Sequence, residues 1–409
     1  MISINDPELQ QLQHDANSQH STFTKLTKHA LFDLPFRSFF LCAVLASMVS
    51  LALWSAHLSG NISFLNGELS ITVWHVHEML FAFGATVAVG FILTAVQTWT
   101  GQASIKGLPV IALLVLWFLV RICLLVNSSN SVYLGVILQS VWWLSVISVF
   151  AKLTLKAKNR RNYLFIPLLS ALMLLNLGVL LFDLNGRTDL SLHFAKTVVL
   201  MFGLMMGIMG GRVIPFFTTA ATRIGKITTP FFLTPMLLVT SIAGISVFFV
   251  GKFISLPFTP AVLMIASGLL HIVRLAFWHS TVTVNVPLLW SLHLSYFCLG
   301  FGLILLGSSY LQPYLQFNDA LHLITIGAMA LMIIAMMSRV SLGHTGRALK
   351  THKAVPISFI LIFSAALVRV FLPLIQEYQL AWHLSTTLWI FASVIFLTIY
   401  SPILSKPRS

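Results

Sequence analysis

Ten of the fourteen histidines in this 409-residue chain lie in or beside long apolar stretches. They are His57, His75, His77, His193, His271, His279, His293, His322, His344 and His383. A charged group at mid-membrane costs about 2.5–3.5 kcal/mol on insertion scales, and neutral imidazole there still needs a partner. Imidazole in such a place has two uses. It can ligate haem iron or copper, or it can sit in the interfacial layer and hydrogen-bond to head groups or water. His57 and His383 fit the interfacial use.

His77, His193 and His322 occupy matching places, 116 and 129 residues apart. Each stands near the outer end of an apolar run that leaves the membrane through a Gly-, Thr- or Arg-containing exit: Gln97 to Gly101, Gly210 to Pro215, and Ser338 to Arg347. Four apolar runs fill each interval. The chain therefore reads as three four-helix units, an arrangement that could bring the three histidines together at one depth. His75 stands two residues before His77, about 200° away around a helix, so regular helix cannot aim both at one metal. Trp74 and His75 precede the expected start of their span at 76, which assigns them to the incoming loop and frees His75 to bend inward.

Glu78 is the carboxylate best placed to enter a span near its start. It could accept the N–H of a ligating imidazole and fix its orientation, or stabilise the helix N-terminus. Asp189 and Asp319 read as end caps, and Asp183 as the outer end of a span. The spans otherwise lack Asp and Glu, which argues against a carboxylate proton relay. Gly203, Gly207 and Gly211 form a small-residue face suited to close helix packing. Eight of the fourteen methionines sit in the two runs that carry His193 and His322. Thioethers pack adaptably and can bind soft metals, and their concentration points to those two helices facing one another.

The elements that must position these residues follow from composition. The chain is 58% hydrophobic and 8% charged, against about 25% charged in soluble domains. A run of about 20 apolar residues spans about 30 Å as a helix, and lipid leaves no other way to satisfy the backbone of a single segment. The expected fold is all-α, a polytopic transmembrane helical bundle of about twelve spans: 36–58, 76–98, 107–126, 131–151, 162–183, 191–212, 229–250, 256–278, 286–308, 320–338, 354–375 and 380–403. Residues 1–35 read as a polar cytoplasmic tail, 36–403 as the membrane domain and 404–409 as a second cytoplasmic tail. The break near Lys252 is the shortest.

Eighteen of the 24 lysines and arginines fall in one set of loops and only Arg187 and Lys252 in the other. That bias places both termini in the cytoplasm. The net charge of +14 is thus a topology signal. Anionic lipid head groups suffice as its partners, and no nucleic acid is called for. Cys42, Cys123 and Cys298 all lie inside expected spans without a Cys-x-x-Cys, so neither a disulfide framework nor a thiolate metal cluster is indicated.

Three blocks resemble the NnrS family of bacterial membrane proteins: Trp74 to Phe81 continuing to Thr100-Gly101, Met209 to Thr218, and His322 to Met329 through Met336 to Arg347. The resemblance implies a haem- and copper-containing membrane protein of the bacterial nitric oxide response, linked to tolerance of nitrosative stress and to denitrification. Carried over by position, His75, His77, His193 and His322 become candidate cofactor and metal ligands, Glu78 a partner to one of them, and His293 a further candidate. His344 matches a Gly-His-Thr-Gly-Arg run at the inner exit. The layout is also similar to the haem–copper oxidases, with twelve helices in three arcs and ligands on spans two, six and ten. Their adjacent histidine pair on span seven has no counterpart in 229–250.

Nitric oxide is small and apolar enough to arrive through lipid. An enzyme would draw electrons from a quinol or a separate redox protein, since no soluble redox domain is visible. Two other classes remain open at this point. Twelve spans suit a secondary transporter, although such carriers often show two six-span halves. The His and Met content suits a metal- or cofactor-trafficking protein. Cofactor stoichiometry and spectra separate all three.

Overall fold

The computed structural model describes residues 27–62, 67–222 and 224–409. Most of the expected N-terminal tail, residues 1–26 with His14 and His20, and the inside-loop residue Arg223 lie outside the described residues. Twelve long helices follow one another, with no strand among the described residues. They are α1 Pro35–Leu58, α2 Ile71–Thr100, α3 Leu108–Val126, α4 Ser129–Lys156, α5 Arg160–Leu184, α6 Thr188–Thr222, α7 Leu233–Val250, α8 Ala261–Ala276, α9 Pro287–Ser308, α10 Phe317–His344, α11 Val355–Ile375 and α12 Tyr378–Leu404. The chain is a multi-pass helical membrane protein.

Eleven of these helices are long and apolar enough to cross a membrane. The exception is α8, with 16 residues where the sequence predicts a span over 256–278. At about 1.5 Å per residue it covers roughly 24 Å, less than the hydrocarbon thickness. Its start is set by Pro257 and Pro260, because the residue before a proline is driven out of helical geometry, and the helix opens directly after Pro260. Its end is set by a turn at Phe277–Trp278, followed by His279 at φ 53°.

The short helix is held by backbone-close packing on α9. A methyl group at Gly268 would meet the Gly300 carbonyl oxygen and the Ile304 backbone nitrogen, and one at Gly300 would meet the Gly268 carbonyl. Neither backbone can yield without moving a helix. Gly268→Ala is expected to cost about 1–3 kcal/mol by overpacking and to lower Tm in detergent, whereas Gly244→Ala, which finds ordinary contact distance, should barely move it. An unchanged Tm for G268A would show the α8–α9 contact to be loose.

The start of α2 departs from the sequence expectation. The helix begins at Ile71, so Trp74 and His75 are helical and not part of a loop. The cause is local. Ser70 Oγ accepts from the Val73 N–H at 3.3 Å, and Asp183 of α5 accepts the Ser70 N–H at 2.7 Å. The cap thus fixes both where α2 starts and which neighbour it leans on. At the other end Gly101 closes the helix in left-handed geometry, φ 67°, where a side chain would be strained.

Both α2 and α10 contain a π-helical stretch, Glu78–Ala85 and Leu323–Ala330, each starting one residue after the matched histidine. Wider turns of this kind leave backbone groups out of the usual ladder and occur often at functional sites. In α2 the Thr86 hydroxyl donates to the Phe81 carbonyl at 3.0 Å. No such stretch occurs in α6. The helices singled out by the repeat, α2, α6 and α10, are also the most enclosed: 83%, 78% and 72% of their most apolar stretches are buried, against 22–44% for the other membrane-length helices except α9 at 67%. They form the centre, and α1 and α12 meet at the periphery. There the Trp389 indole N–H donates to Ser47 Oγ at 3.1 Å, and the buried Arg37 guanidinium donates to the carbonyls of Leu404 and Lys406 at 3.0 and 2.6 Å.

Candidate functional site

The α1, α2, α6, α10, α11 and α12 helices surround a cavity of about 470 Å³, within the range of roughly 300–1,000 Å³ common for ligand sites. It lies at the end of the bundle expected to face outward, called outer below. Both π-helical stretches line it, through Met79, Leu80 and Phe83 on one side and Thr325, Ile326 and Met329 on the other. The two approach closely enough that a methyl at Gly84 would meet the Met329 thioether methyl. Trp54, Trp382 and Trp389 add flat aromatic wall.

Two imidazoles face this apolar space, His75 from α2 and His322 from α10. The His75 ring stacks on Trp54, with centroids 4.5 Å apart and planes 16° apart, which fixes its plane. Its Nδ1 is buried without a hydrogen-bond partner. The His322 Nδ1–H donates to the Asn318 carbonyl at 2.6 Å. A carbonyl can only accept, so Nδ1 carries the proton and Nε2 keeps its lone pair, the tautomer of a metal-ligating histidine. Two cations complete the lining, Lys196 and Arg369. Arg369 Nη1 is steadied by Asp319 Oδ1 at 2.6 Å, so the residue read as an end cap holds a cavity cation.

The other sequence candidates sit elsewhere. His77 is fully buried on the far side of α2, with Nε2 3.2 Å from Asn176 Oδ1 and Nδ1 3.4 Å from Glu78 Oε1. Glu78 in turn pairs with Arg121 Nη1 of α3 at 3.0 Å, and Arg121 Nη2 donates to Gln139 of α4 at 3.2 Å. Glu78 therefore touches an imidazole, as anticipated, but the imidazole belongs to a network joining α2, α3, α4 and α5. The ring of His193 lies against Phe248, centroids 4.7 Å apart, and its Nε2–H donates to the Phe249 carbonyl at 3.1 Å. His293 on α9 has both nitrogens engaged, by Thr218 Oγ1 and Ser280 Oγ, each at 2.9 Å. The structure thus does not gather His77, His193 and His322 into one cavity. It pairs His322 with His75.

The remaining motif residues have structural partners. Gly207 and Gly211 leave room for His271 and Arg274 of α8, as a small-residue face should. The Arg212 guanidinium donates to Asn162 Oδ1 at 3.0 Å, and that of Arg339 lies 3.8 Å from the Phe217 ring centroid. The His344 ring packs near Phe36, 5.6 Å between centroids, at the inner end and away from the cavity. Sequence reasoning missed Trp54 and both π-helical stretches. A tryptophan near a span's outer end was the only available signal, and it reads equally as an interfacial anchor.

Compared with models of protein families, the chain matches the one described as NnrS protein over residues 30–408. The chain belongs to the NnrS family. A comparison with curated proteins found no match. NnrS proteins are a membrane class linked to haem, copper and nitric-oxide-related roles, and this member shares the membrane architecture. The outer cavity suits haem by its donor chemistry: an unpartnered buried His75 nitrogen, a His322 nitrogen with a free lone pair, apolar walls and two cations. Copper is a different case. Among the described residues no three histidine, cysteine or carboxylate side chains come together as a metal site, so they do not form a fitting ligand set for copper.

Proposed function

We propose that this NnrS protein holds haem in the outer cavity through His75 and His322 and takes part in nitric oxide metabolism or protection from nitrosative stress. The observation that carries this reading is the convergence of two imidazoles and two cations on one apolar cavity. Bound haem would supply an iron that takes nitric oxide as a ligand and exchanges single electrons. The chain's own residues do the rest. Trp54 holds the plane of His75, and the Asn318 carbonyl holds the proton of His322 on Nδ1. Arg369, braced by Asp319, would pair with a carboxylate of the bound group. The tryptophan and aliphatic walls lower the local polarity, which strengthens each of these interactions.

Charge bias supports an inner-membrane orientation with both termini cytoplasmic. Nitric oxide would reach the cavity through lipid, and a quinol or redox protein would supply any electrons. The test is the absorption spectrum of the protein purified in mild detergent, oxidised and reduced, with and without nitric oxide. A Soret band at about one haem per chain that shifts with nitric oxide is the expected result. A folded protein that stays colourless after haem supplementation would overturn the reading and favour a transporter.

A further inference from the structure

Lys196 borders two spaces. It lines the outer cavity and also a second pocket of about 310 Å³ formed with Asp189, His193, Phe248, Lys252 and Phe317. Its ammonium lies 5.1 Å from the centroid of the Phe317 ring, and among the described residues it has no acidic partner. A half-buried ammonium without a counter-charge is costly to hold, so its placement calls for an anion. The second cation, Lys252, reaches Asp189 Oδ2 at 3.0 Å, and Arg187 lies 3.7 Å from the same carboxylate. His193 donates its Nε2–H to the Phe249 carbonyl, so that nitrogen is not available to an anion. Part of the lining is aromatic: Phe248 and Phe317 stack, with centroids 5.7 Å apart and planes 9° apart. Two ammoniums and one arginine thus stand against a single carboxylate, over an aromatic surface.

We propose that this pocket binds a small planar oxyanion group, of the nitrite, nitrate or carboxylate type, between Lys196 and Lys252. Asp189 is the internal competitor that Lys252 leaves when the anion enters. The two ammoniums would give charge-assisted hydrogen bonds to its oxygens. Such a group has two sources, a free anion from outside or the carboxylate of a molecule lodged in the main cavity, because Lys196 serves both spaces.

The test is calorimetric titration of the purified full chain with sodium nitrite at constant ionic strength, before and after haem loading. Saturable binding is expected, weakened at least tenfold in Lys196→Met and tightened severalfold in Asp189→Asn. If K196M fails to fold, D189N alone still reads the sign. No saturable binding by the wild type, or D189N binding no better than wild type, overturns the proposal, as does a folded K196M that binds like wild type. Binding before but not after haem loading identifies a cavity carboxylate as the natural occupant, and binding in both that is still lost in K196M, and so is not binding to iron, identifies a free anion. A protein that binds nitrite yet never takes haem would sink the haem reading and leave this site standing.

Discussion

Replacing His322 with alanine is expected to empty the outer cavity of haem, and replacing His75 to do nearly the same. His322 offers the better prepared nitrogen, since the Asn318 carbonyl already holds its proton on the far side of the ring. His75 offers a buried nitrogen with nothing else to bind and a ring held by Trp54. Haem absorbance per chain should therefore fall to a small fraction of wild type in both variants, with expression and Tm of the apoprotein little changed. His77→Ala and His193→Ala should keep the haem, because their rings are committed to Asn176 and Glu78 and to the Phe249 carbonyl. The other pattern, haem lost in H77A and H193A as well as in H322A but retained in H75A, would return the ligands to the matched set that the sequence repeat suggests.

A larger effect on folding is expected from Glu78→Gln. The side chains of Glu78 and Arg121 are only 5% and 11% exposed, and the Arg121 Nε has no hydrogen-bond partner. Removing the carboxylate's charge strands a buried guanidinium, a change that costs about 3–5 kcal/mol in comparable buried pairs. Thermal unfolding in detergent should show a large drop in Tm for E78Q and recovery of much of it in the double variant E78Q/R121M, where neither charge remains. Equal Tm values for E78Q and wild type would mean that water or lipid head groups already compensate Arg121.

The fold was largely legible because membrane helices announce themselves by length and apolarity. Span starts at Pro35 and Pro287 fell within a residue of the expected positions. Where expectation failed, at Ile71 and at Ala261, local chemistry decided: the Ser70–Asp183 cap extended one helix, and two prolines shortened the other. The repeat was visible as spacing, and it selected the three most enclosed helices. It could not specify which histidine of the His75–His77 pair turns toward the centre. That choice depends on how α2 is rotated, and its rotation is set by the cap at one end and the Glu78–Arg121 pair on the flank, neither of which has a sequence period. Lys196 escaped notice for a related reason, since one lysine among apolar residues reads the same whether it borders a cavity or snorkels.

Arg37 and the carbonyls it grips are separated by 367 and 369 residues, so the seam between α1 and α12 joins parts of the chain made far apart in time. Trp54 of α1 and Trp389 of α12 both wall the outer cavity. Until α12 has been inserted, that wall is missing and α1 must wait unpartnered along this edge during synthesis. The site is therefore completed only after α12 is made, by long-range contacts, which form slowly. An aborted chain would contain His75 and His322 but not the enclosure that keeps water from them. Any group that the outer cavity takes would be enclosed only once α12 stands beside α1.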